Sequence, residues 1–78
     1  MNWKDTSSDS LQESTLYLPA IDISVHRHDG VGSWLATCQD VRMESANCET
    51  QDLAAAQRRA VDMVKARVAA YSRSLVLA

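Results

Sequence analysis

The sequence has few of the residues that bend or staple a backbone: two glycines, one proline and two cysteines in 78 residues. Both glycines fall in Asp29-Gly30-Val31-Gly32, so turn chemistry is concentrated at one place. Cys38 and Cys48 allow one disulfide at most, and neither sits in a Cys-x-x-Cys spacing. No apolar run is long enough to span a bilayer, and nothing near the N-terminus resembles a signal peptide. A cytoplasmic location in a bacterial cell, with reduced thiols and no membrane contact, is therefore expected. There is no phosphate-loop glycine spacing, no nucleophile with a paired base and no pair of carboxylates placed for acid and base roles. Enzymatic activity and a cofactor are not expected.

Apolar residues make up 46% of the chain and charged residues 23%, which fits one small folded domain. A core of this size leaves a thin stability margin, so a subunit contact such as a homodimer is an option. The net charge of −2 is unevenly divided. Residues 1–50 carry eight acids and three bases, whereas residues 51–78 carry two acids and five bases. This balance argues against direct nucleic-acid binding, for which a clearly basic domain is usual.

The longest regular pattern runs from Thr50 to about Ser72. At helical spacing Leu53, Ala56, Ala60, Val61, Val64, Val68, Tyr71 and Leu75 share one face, and Arg58, Arg59, Asp62 and Lys65 the other. Thr50 is the expected N-cap, and Asp62 is placed to bridge Arg58 and Lys65. Cys48, near the helix start, is a candidate for mild activation.

Before the helix, Ile21, Ile23 and Val25 alternate with Asp22, Ser24, His26 and His28, the pattern of a half-buried strand. A second strand is expected at about Ser33–Gln39 and a third at Met43–Cys48. Matching parity across the turns places Val25 opposite Ala36, Ala36 opposite Ala46, Gln39 opposite Met43 and Cys38 opposite Glu44. The fold expected is α+β: a three-stranded antiparallel sheet with the long C-terminal helix packed on one face. Ile23, Val25, Ala36, Val64 and Val68 form its core, and Met43 lies on the opposite face.

Residues 1–15 are rich in Ser and Asp with no sustained period, and read as a mobile arm preceding a single domain at 16–78. Ser10-x-x-Glu13 fits a capping box, and Trp3 is a costly residue to leave in water. Pro19 makes Tyr17–Ala20 extended. His26, His28 and Asp22 share one side of a strand, but a metal would need further ligands, so solvated histidines are the simpler reading and no metal site is assigned.

Gly32-Ser-Trp34-Leu-Ala36, Gln39-Asp40 and Cys48-Glu-Thr50-Gln-Asp-Leu53-Ala-Ala-Ala56 together resemble the HicB-like domain, a partial RNase H fold of β-β-β-α order. The resemblance covers roughly residues 21–70. It implies a domain that is not a nuclease and that neutralises a small ribonuclease toxin by direct contact. The sequence departs from that pattern in lacking a Pro-x-x-x-Gly segment after Asp40, a glycine before Thr50 and a DNA-binding segment after the helix. In size, charge and design it also resembles the small anti-CRISPR inhibitors of phages, whose target is a CRISPR surveillance complex. Both resemblances imply an inhibitor that occludes a nucleic-acid-processing protein effector. Against an effector that grips nucleic acid with Lys and Arg, the contact residues expected are Asp22, Asp29, Asp40, Glu44 and Glu49. The alternative is a nucleic-acid-binding module using Arg58, Arg59 and Lys65.

Overall fold

The structure is a computed structural model and describes residues 2–77. Five strands form one antiparallel sheet in sequence order: β1 (Trp3–Asp5), β2 (Leu11–Tyr17), β3 (Asp22–His28), β4 (Leu35–Cys38) and β5 (Met43–Asn47). One helix, α1 (Leu53–Leu77), lies over β3 and β4. The α+β class and the helix packed on one sheet face are as expected, but the sheet has five strands where three were expected.

The two additional strands come from the N-terminal segment. Rather than a mobile arm, residues 3–5 and 11–17 are strands, and the boundary placed between residues 15 and 16 falls inside β2. Ser8 and Leu11 exchange backbone hydrogen bonds of 2.9 and 2.7 Å around an Asp9-Ser10 turn, with Asp9 at a φ of 45°. The Ser10-x-x-Glu13 segment is thus turn and strand, not a helical cap. Trp3 pairs with Leu16 and packs, partly buried, against the core. The Tyr17–Ala20 segment is likewise not simply extended: Leu18 N–H donates to Ile21 C=O across 3.0 Å, and Pro19 supplies the fixed φ suited to the second position of that reversal.

β3 and β4 pair as expected, with Val25 opposite Ala36. Ala36 faces Ala46 on β5, and Cys48 N–H donates to Trp34 C=O across 2.9 Å, also as parity requires. The expected register then fails near the turn. A short 3-10 helix at Gln39–Val41 precedes β5, and the ladder shifts by one residue so that Cys38 faces Met43, not Glu44. Gln39 is accordingly not the partner of Met43. A bulge accounts for the shift, with Ser45 at a φ of 50° and its N–H donating to Thr37 Oγ1. It turns Met43 inward to full burial, and Val41 joins it in the core.

The core holds Leu16, Ile23, Val25, Trp34, Ala36, Cys38, Val41, Met43 and Cys48 from the sheet side, and Ala56, Ala60 and Val64 from the helix. Alanines at the crossing let α1 approach the sheet closely. Val68, expected inside, is 47% exposed and lines an open apolar groove with Leu18, Ile21 and Ile23. The helix starts later than expected. Asp52, not Thr50, is the cap, accepting at Oδ2 from Ala55 N–H (2.9 Å), while Thr50 Oγ1 accepts from Asp52 N–H. The cause lies in Trp34, which holds residues 50–51 out of the helix: its backbone N–H donates to Thr50 C=O and its indole N–H to Gln51 C=O. Across the same face the Arg27 guanidinium sits 4.6 Å from the Trp34 ring centre and donates to Gln12.

Candidate functional site

The helix occupies one face of the sheet and leaves the other open. Alternation decides what that open face carries: Leu11, Glu13, Thr15 and Tyr17 from β2, Asp22, Ser24, His26 and His28 from β3, and Thr37 from β4. With Gln39 and Asp40 these line a shallow groove of about 660 Å³. Its floor is a row of hydroxyls. Thr6 Oγ1 donates to Glu13 Oε1 (2.8 Å) and lies 2.9 Å from Thr15 Oγ1, which lies 3.0 Å from Ser24 Oγ. These bonds satisfy the buried Thr15 and tie β2 to β3 and to Thr6 just after β1.

At one end of the groove Asp22 N–H donates to Asp40 Oδ2 across 3.2 Å, bringing two of the five expected contact acids side by side. The other three lie apart from them. Asp29 is in the turn at the far end of β3, about 20 Å away by strand rise. Glu44 is exposed on the edge strand β5. Glu49 follows β5 at a φ of 57° and pairs with Arg59 at 3.5 Å, with both side chains largely in solvent. Glu13 belongs to the groove and was missed by sequence reasoning, because it lay in the segment read as an arm. The cue present there was the β propensity of Thr15 and Tyr17, because Gln12-Glu13-Ser14-Thr15 is polar on both faces and shows no alternation.

The three expected cations also separate. Arg58 is exposed, Arg59 is held by Glu49, and Lys65 stands at the rim of an apolar groove beside the helix. Asp62 bridges neither Arg58 nor Lys65; among the described residues the recorded ion pair is Arg59 with Glu49.

His26 and His28 do share the open face with Asp22, yet among the described residues no three His, Cys, Asp or Glu side chains gather closely enough to hold a metal. Cys38 and Cys48 are buried and free. Burial pushes both thiols up from the ordinary value, and at Cys48 the nearby Arg59 only partly opposes it, so the expected activation does not occur. Among the described residues no helix is long and apolar enough to cross a membrane. The open face presents carboxylates, hydroxyls and imidazoles over a hydrogen-bonded floor. In comparisons with protein-family models, curated proteins and solved structures, the chain matches none.

Proposed function

We propose that this protein is a non-enzymatic inhibitor whose open sheet face docks on the cationic surface of a nucleic-acid-processing effector and blocks it. The observation that carries this reading is the Asp22–Asp40 pair at the end of a carboxylate-bearing groove, with Glu13 further along it. A cationic surface built to grip phosphates is complementary to such a face, and charge complementarity speeds encounter and excludes wrong partners. The hydrogen-bonded hydroxyl floor favours binding, because a surface ordered beforehand loses less entropy on docking. The resemblance to HicB-like domains points to a small ribonuclease toxin as the effector, and the likeness to anti-CRISPR inhibitors to a CRISPR surveillance complex.

The test adds purified protein to each effector class and follows RNA cleavage or target binding. The reading expects loss of activity at near-stoichiometric protein, weakening as salt rises. A gel-shift titration with duplex and single-stranded DNA and RNA tests the nucleic-acid alternative. Micromolar, salt-sensitive binding that disappears on Arg58→Glu and Arg59→Glu substitution would replace the inhibitor reading with that one.

A further inference from the structure

Both tryptophans of the chain line one groove of about 450 Å³ on the helix side of the sheet, between the first turns of α1 and the β1–β2 hairpin. Its size falls within the range of small-molecule sites. Its apolar wall is the half-buried Trp3 indole with Leu53, which is 39% exposed. Much of its polar lining is already engaged. The Arg27 guanidinium lies over the Trp34 ring, and its Nε and Nη1 donate to Gln12 Oε1 (2.7 Å) and Gly32 C=O (3.4 Å). Arg27 is thus committed to the wall, and the lining acids Asp5 and Glu13 outnumber it, so the groove is poorly suited to a phosphate.

The groups left over are few. Gln12 has its Oε1 taken by Arg27 and keeps Nε2 as a donor. Gln57 has its Nε2 taken by Ser14 Oγ and keeps Oε1 as an acceptor. Asp5 accepts at Oδ1 from Ser7 N–H (2.9 Å) and keeps Oδ2, so its carboxylate still has room for a pair of donors.

We infer that this groove binds a guanine base, its ring against Trp3 and Leu53 and its N1–H and N2–H pair on the Asp5 carboxylate. The remaining groups select the base. A flat ring is what an indole beside a leucine takes up. Adenine is read by one carboxamide that offers a donor and an acceptor together, and Gln12 and Gln57 have each lost one of the two. Uracil and cytosine bring a single donor position to a carboxylate, whereas guanine brings two in parallel, matching its two oxygens. Guanine O6 lies beside that pair, and Gln12 Nε2 is a donor available to it. A free nucleoside and a base in a single strand present the same edge. The inference does not rest on the inhibitor reading, which uses the opposite sheet face.

The test titrates the full chain with guanosine, adenosine and guanosine 5′-monophosphate, and follows the indole and carboxamide signals in nitrogen–proton correlation spectra. Guanosine should move the Trp3 indole signal and the Gln12 and Gln57 carboxamide signals, with an affinity at least tenfold above that of adenosine. The monophosphate should bind no more tightly than guanosine. Asp5→Asn should bring guanosine down to the level of adenosine. Position 5 is exposed and asparagine keeps the oxygen that accepts from Ser7, so the far-ultraviolet spectrum should not change. Short RNA strands with one guanine among uridines separate the two sources: affinity equal to that of guanosine assigns the nucleoside, and a gain of tenfold or more assigns a base within a strand. A Trp3 signal unmoved by millimolar guanosine would overturn the inference, as would equal binding of adenosine or a preference for guanosine that survives Asp5→Asn. None of these outcomes depends on an effector assay.

Discussion

Gln57 in the second turn of α1 donates from Nε2 to Ser14 Oγ on β2 across 3.1 Å, a contact between residues 43 apart in the chain. Ser14 is only 6% exposed, so the bond both satisfies a buried hydroxyl and locks the N-terminal hairpin to the helix. Gln57→Ala should leave that hydroxyl unpaired and lower stability by about 1–2 kcal/mol. Adding Ser14→Ala should recover part of the loss. Urea denaturation of the two variants checks this, and an unchanged midpoint for Gln57→Ala would mean that the hairpin is not held this way.

Val64 is 3% exposed and sits where the helix meets the sheet core. Val64→Asp would bury a carboxylate with no partner, and should abolish cooperative thermal unfolding. A variant that melted like the parent would contradict the packing of α1.

The two buried thiols give a chemical and a pH readout. Both should resist a thiol reagent in the folded protein and react after denaturation without prior reduction, since neither is in a disulfide. Burial raises both folded-state values above the ordinary 9.0, so the folded chain holds these protons more tightly than the unfolded chain. Their contribution to stability is therefore complete below about pH 9 and is lost as pH rises through the folded-state values. Cys38→Ser with Cys48→Ser should flatten this alkaline decline; an equal decline in that variant would assign it to other groups.

The parts of this fold that could be read from the sequence are those where polarity alternates cleanly. Ile21, Ile23 and Val25 against Asp22, Ser24 and His26 set the face of β3, and parity then set the pairing of Val25 with Ala36 and of Ala36 with Ala46. β2 was hidden because Ser14 and Thr15 are polar on both faces and are buried through hydrogen bonds, not through apolarity. A period search sees only the latter. The register error at Cys38 came from the bulge at Ser45, whose positive φ no residue type there announces. The helix cap shifted from Thr50 to Asp52 because of Trp34, a tertiary contact that local capping rules do not contain. Among the candidate contacts, Asp22 and Asp40 were reachable from the strand pattern, whereas Glu13 required β2.

The most direct test of the account compares three proteins in one effector-inhibition assay: the parent, Asp22→Lys with Asp40→Lys, and Arg58→Glu with Arg59→Glu. All four positions are exposed, so melting temperatures should stay within a few degrees of the parent. The account expects the first variant to lose at least tenfold in inhibitory potency and the second to keep it. Inhibition that survives reversal at Asp22 and Asp40 but fails on reversal at Arg58 and Arg59 would contradict the central claim that the open sheet face makes the contact.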